Sequence, residues 1–183
     1  MRRISIFLIF GFLFSPTFSF AGGIIGSCSK DGYTIATING VFTDERGAQA
    51  NVLALQKKVG FSWNNQDISY QYFLNPSHLA GFGDALKAFK QKVEDGVAAD
   101  DYDLIEMVKE ASTKVTTQKL LLVAHSQGNF YANSFYDKVT GKDGGVPVKS
   151  IGMYSVATPS NHVSGGGRYL TSGSDKVISG VVG

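Results

Sequence analysis

Ser126 stands in the run Ala124-His125-Ser126-Gln127-Gly128, directly behind the apolar stretch Leu120-Leu121-Leu122-Val123. A serine placed between the end of a buried strand and the first turn of a helix points its hydroxyl out of the sheet. The chain can reverse that sharply only where its neighbours are small, and Ala124 and Gly128, two residues to either side, meet the need. The chemistry open to such a serine is attack on an acyl carbon, with main-chain amides holding the negative charge that develops on the carbonyl oxygen. The amide of Gln127 would stand at the positive end of the following helix, which makes it the first candidate for such a donor.

The elements that must position this turn are legible around it. Leu120 to Val123 is a continuous apolar run of the kind found in parallel strands covered on both faces. The residues after the turn, Phe130, Tyr131, Ser134, Phe135 and Val139, have the spacing of a helix with an apolar stripe. Upstream, Tyr33 to Ile38 carries β-branched residues at alternate positions and predicts a strand. It ends at Asn39-Gly40-Val41-Phe42-Thr43, and a helix is expected from near Asp44 with Ala48, Val52, Leu55 and Val59 on one face. Strand, glycine loop and helix make a βα unit.

The alternation continues through the chain. Asp67 to Leu74 predicts a second strand, stopped by Asn75-Pro76. Phe82, Leu86, Phe89 and Val93 form a helical stripe, and Asp100 or Asp101 caps a further helix through Leu104, Ile105 and Val108. Beyond the serine turn and its helix, a glycine-rich loop precedes a strand over Val148 to Val156. Gly165 to Gly167 then lead into a short strand, Arg168 to Thr171, and a turn at Gly173-Ser174-Asp175. Strands alternating with helices predict an α/β fold with a mostly parallel sheet flanked by helices on both faces. The sequence contains no internal repeat.

The 183 residues suffice for one domain, expected over residues 33–183. Arg2 and Arg3, the apolar run Ile4 to Phe14, Pro16, and the small residues of Ser19-Phe20-Ala21 read as a secretory signal cleaved after Ala21, with a flexible lead-in over 22–32. The expected location is secreted or periplasmic. Cys28 is the only cysteine, so an intramolecular disulfide is excluded. Ile25-Gly26-Ser27-Cys28 also has the look of a lipobox, which would make Cys28 a membrane tether. The signal carries two of the 17 Lys and Arg against 15 Asp and Glu, so the mature chain is neutral. Nothing in that balance points to nucleic acid as a partner. Three scattered histidines form no metal-ligand pattern, and no cofactor is expected.

With the strand-Ser-helix turn, the Asn39-Gly40-Val41 loop and the late Asp175, the chain resembles the α/β-hydrolase superfamily, specifically its esterase- and lipase-like members, over roughly residues 33–177. It departs from the usual pentapeptide by Ala124 in place of the leading glycine. Asn129 replaces the second glycine common in lipases, a change expected to leave the chemistry alone. The resemblance implies Ser126 as nucleophile, Asp175 as the acid that orients an imidazole, and an oxyanion hole from the amides of Gln127 and of Val41 or Phe42, with Gly40 letting the backbone approach the substrate. The implied substrate is a small-molecule or lipid ester, and the short Pro159–Gly167 connection, which leaves little room for a lid, favours small or exposed esters.

The family order is Ser, Asp, His, and no histidine follows Asp175 in this sequence. The resemblance therefore implies a hydrolase shortened at its C-terminus, without the last strand and helix and with an open sheet edge. His162 is the candidate substitute base. His125 is expected to point away from the Ser126 hydroxyl and His78 to lie on a surface loop. Phe61 and Trp63 could line a pocket or belong to the core. Two further readings stay open: a catalytically impaired protein of the same fold acting in binding, and a surface protein held through Cys28.

Overall fold

The computed structural model describes residues 28–40, 43–74, 101–142, 144–172 and 174. Among them the elements run β1 (Tyr33–Ile38), α1 (Glu45–Val59), β2 (Ser62–Trp63), β3 (Gln66–Phe73), α2 (Asp101–Lys114), β4 (Leu120–His125), α3 (Gly128–Thr140), β5 (Ile151–Val156) and β6 (Arg168–Leu170). The six strands form one sheet in the order β2-β3-β1-β4-β5-β6. All neighbours are parallel except the short β2–β3 hairpin. The fold class is α/β, as the alternating pattern predicts.

The register decides which side chains meet. Ile38 lies beside Phe73 on one side and Ala124 on the other, and Ala124 lies beside Ser155. Ala36, Leu122 and Met153 make the next row on the same face. Onto this face fold α2, through Leu104, Met107 and Ala111, and α3, through Tyr131, Ala132, Phe135 and Tyr136, giving the main core. Burying one such side chain stabilises by about 1.5–3 kcal/mol, so α3 is held by packing far more than by helix propensity. Its sequence suggests one apolar stripe, yet even Asn129 and Asn133 are buried.

Helix α1 covers the opposite face, over β1 and β3. It starts at Asp44, whose Oδ1 accepts the Gly47 N–H at 2.8 Å. That hydrogen bond, ahead of the charge on Arg46, holds the Asp44 carboxyl below its usual value. Ala48 is fully buried, Val52 and Leu55 are half-buried and Val59 stays exposed, so the apolar face read from the sequence is only partly used.

Several expectations are corrected. Val148–Ser150 forms a 3₁₀ turn after Pro147, and the strand begins only at Ile151. The β2–β3 hairpin escapes the sequence reading. Its turn residues Asn64 and Asn65 both have positive φ, 51° and 58°, the conformation a two-residue hairpin demands and asparagine tolerates. Phe61 and Trp63 sit on that hairpin 70% and 67% exposed. They lie at the amino-terminal end of β3, so they neither enter the core nor approach Ser126.

The lead-in is anchored from Cys28 onward. Ser29 N–H donates to Thr116 O and Gln118 N–H to Ser29 O, both at 2.8 Å. On the far side of the sheet β6 is a three-residue strand with Tyr169 and Leu170 exposed, and no strand pairs with its outer edge among the described residues. The expected signal over 1–21, the stripe at Phe82 to Val93 and His78 lie outside the described residues. Among those described, no helix is long and apolar enough to cross a membrane.

Candidate functional site

Winding sets the location. From β1 the chain first adds β3 on one side, then crosses back to place β4 on the other and continues outward through β5 and β6. The winding reverses between β1 and β4, and at such a point the loops leaving two adjacent strands part in opposite directions and open a crevice at their carboxyl ends. The two segments that leave the sheet there are Asn39-Gly40 after β1 and Ser126-Gln127 after β4.

At the end of β4 the chain turns on Ser126, whose φ is 53°. An L-residue pays about 1–2 kcal/mol for that left-handed conformation, and a serine holds it only when its surroundings over-determine it. The surroundings are specific. Ser126 N–H donates to Val156 O of β5 at 3.0 Å, and Ser126 O accepts the Asn129 N–H at 3.1 Å. The Asn129 side chain adds two more bonds from Nδ2, to Ser126 O at 2.8 Å and to Val156 O at 3.2 Å. Ser126 itself is half-buried, and its hydroxyl makes no hydrogen bond among the described residues.

Helix α3 begins two residues later, with no carboxylate in its first turn to offset its positive end. It can begin so close because of Gly128. A Cβ there would lie 2.6 Å from both Ile38 O and Asn39 O, closer than real contacts allow. The sequence marks Gly128 as a place where helix and strand nearly touch. The strand it touches is the neighbouring β1, not the β4 that precedes it.

Gly40 completes the crevice. A Cβ on it would stand 3.0 Å from Ser126 Cβ and 3.3 Å from His125 Nδ1, so the loop after β1 lies directly against the serine turn. Val41 and Phe42, expected to give the second oxyanion amide, lie outside the described residues. What is described is the residue immediately before them, already beside Ser126. Gly40→Ala is expected to fold with a small shift of the loop after β1, since the added methyl would meet Ser126 Cβ at 3.0 Å and the His125 carbonyl at 3.4 Å. It should also slow any reaction at Ser126 about tenfold by narrowing the approach to the hydroxyl; the labelling rate of Ser126 by an active-site phosphonate measures this.

The remaining sequence candidates are placed unevenly. The His125 ring is exposed and stands beside Gly40, on the same side as the crevice. His162 is also exposed. Its Nδ1 pairs with Asn161 Oδ1 at 2.8 Å, and its carbonyl accepts from Asn133 Nδ2 at 3.1 Å. Asn133 lies seven residues beyond Ser126, about 10 Å of helix rise, so His162 is tied near the second turn of α3. No hydrogen bond joins it to Ser126 among the described residues. Asp175 lies outside them; β6, the strand described before it, runs parallel to β4 with β5 between them.

The sequence shows Asn129 only as a glycine replacement expected to leave the chemistry alone, whereas the structure has its side chain holding the serine turn. A buried asparagine at the second position of a helix has a readable signal, since an amide side chain there can cap backbone groups of the preceding turn. Its partner Val156, however, comes from a strand 27 residues away. A cleft of about 990 Å³, lined by Cys28, Val115, Phe135, Val139, Pro147 and Ile151 among others, lies at the opposite, amino-terminal ends of β4 and β5. It takes no part in the geometry around Ser126. Cys28 is exposed at its rim, with Sγ 3.7 Å from Val115 O. Compared with protein-family models and with curated proteins, the sequence matches none.

Proposed function

We propose that this chain is a secreted serine hydrolase of the α/β-hydrolase type that cleaves ester substrates through Ser126. The observation that carries the reading is a non-glycine residue held at φ 53° between a parallel strand and a helix, at the sheet's switch point and against a glycine loop. A structural turn at this place would be served better by glycine, and the strain has a use if the hydroxyl must project from the sheet.

The reaction follows from the placement. Ser126 Oγ attacks the ester carbonyl and its proton passes to a base. The carbonyl oxygen becomes an anion at the amino-terminal end of α3, where Gln127 stands, with Gly40 of the loop after β1 lying against the serine turn. The intermediate collapses, the C–O bond to the alcohol breaks, and the alcohol leaves with the proton. Water then hydrolyses the acyl-serine by the same route. Asp175 would orient the protonated base, and His162 is the substitute base the sequence offers.

A second reading, a protein of this fold that binds without efficient turnover, draws on one feature. No hydrogen bond joins His162 to Ser126 among the described residues, and a serine without a base is a poor nucleophile at neutral pH. Both readings meet in one experiment. Incubation of the mature protein with an alkyl fluorophosphonate should attach the phosphonyl group to Ser126 Oγ with loss of fluoride, found by mass spectrometry of the peptide. Absence of any adduct, under conditions that label a known serine esterase, would overturn the hydrolase reading. The same spectra identify the mature N-terminus: Gly22 supports secretion after cleavage, and a lipid mass on Cys28 supports a tether.

A further inference from the structure

Asn129 is the second residue of α3 and fully buried. Both partners of its side chain are carbonyl oxygens, so the NH2 group must face them and the amide's orientation is fixed by chemistry. Its Oδ1 has no partner among the described residues, so the side chain is held there for what its nitrogen donates.

The carbonyl it grips most closely, Ser126 O at 2.8 Å, belongs to the same peptide unit as the Gln127 N–H. A trans peptide is planar, and its C=O and N–H point in opposite directions. Fixing one therefore fixes the other. The second bond, to Val156 O, closes a ring, because Val156 O also accepts the Ser126 N–H at 3.0 Å. The two peptide units that flank the serine are thus referred to one carbonyl of β5 and one side chain of α3.

We propose that Asn129 is a positioning residue that aims the Gln127 N–H at the developing oxyanion by holding the carbonyl of the same peptide. The inference rests on Ser126 being the nucleophile, and it adds a role that a glycine at position 129 could not fill. Asn129→Asp keeps the shape, loses both donations and sets a carboxylate against two carbonyl oxygens. Asn129→Ser leaves at most one hydroxyl donor and guards against a variant that fails to fold.

The matched control is Thr34, fully buried on β1 beside Leu120, the first residue of β4, and so at the end of the sheet away from Ser126. Its Oγ1 hydrogen-bonds with Ser69 Oγ and Thr117 Oγ1. An oxyanion donor acts only in the transition state, and removing one outright costs about 10²–10³ in rate. A misdirected donor should cost about 10- to 100-fold in kcat for a short p-nitrophenyl ester, with KM changed less than about threefold. The rate of fluorophosphonate labelling should fall in parallel.

Thr34→Ala is expected to lower Tm by a similar amount and to keep labelling within about threefold of wild type. If wild type labels and folded Asn129 variants label at its rate, the inference falls while the nucleophile stands. The inference also falls if the Asn129 and Thr34 variants lose rate in proportion to Tm, because the effect is then general stability. If wild type itself does not label, the reading of Ser126 fails and takes the inference with it.

Discussion

Ser126→Gly is expected to abolish phosphonate labelling and ester turnover while leaving the protein as stable as before or more so. The left-handed conformation at position 126 penalises an L-residue by about 1–2 kcal/mol and glycine not at all. Against this, glycine loses more backbone entropy on folding, about 0.5–1 kcal/mol. The balance runs from neutral to about 1.5 kcal/mol in favour of glycine, a rise in Tm of up to roughly 5 °C for a chain of this size. Ser126→Ala separates the two effects: it removes the hydroxyl but keeps the strain, so reactivity vanishes and Tm stays level. Removing the nucleophile of an intact catalytic set costs on the order of 10⁶ in rate, and no other serine should take over the labelling. A glycine variant several degrees less stable than wild type would show that the turn is not strained, and the functional argument would lose its footing.

The second large effect concerns Gly128. At an ordinary helix position Gly→Ala raises stability by up to about 1 kcal/mol. Here the sign should reverse, because the added methyl would sit 2.6 Å from two backbone oxygens of Ile38 and Asn39, and neither can move without disturbing β1. Relief requires α3 to lift from the sheet, away from the Tyr131 and Phe135 packing that holds it, a loss of about 1–3 kcal/mol for alanine and more for valine. Lifting the helix also takes Gln127 from its place beside the serine, so labelling should fall more than stability alone explains. Denaturant midpoints of Gly128→Ala and Gly128→Val give the first effect, and labelling of the folded fraction gives the second. An alanine variant more stable than wild type would mean that helix and strand do not approach as described.

These two residues also mark how far the sequence can be read. The apolar run at Leu120 to Val123, the small residues around Ser126 and the helical spacing after it all follow from contacts within about fifteen residues. Local patterns of that kind survive in one dimension. The hairpin at Asn64-Asn65 is equally local, since paired asparagines between strand-forming residues signal such a turn. The stripe on α1 overstates its burial, since periodicity tells which face is apolar and not how much sheet lies beneath it. The start of β5 is misread because Val148 is strand-forming by type, whereas Pro147 and the crossing from α3 impose a 3₁₀ turn.

Other facts needed the sheet. Strand order decides that Gly40, 86 residues before Ser126, becomes its neighbour, and that Gly128 serves β1. It also brings Val156 to the serine turn, which turns Asn129 from an unremarkable helix residue into the clamp on that turn. The same order sets His162 along α3 and leaves Phe61 and Trp63 at the far end. Sequence alone determined that a serine would sit between strand and helix, because side-chain size and hydrophobic period act over a few residues. Only the tertiary structure decided what surrounds that serine, because pairing between distant strands is fixed by the packing of a whole sheet and no short stretch carries it.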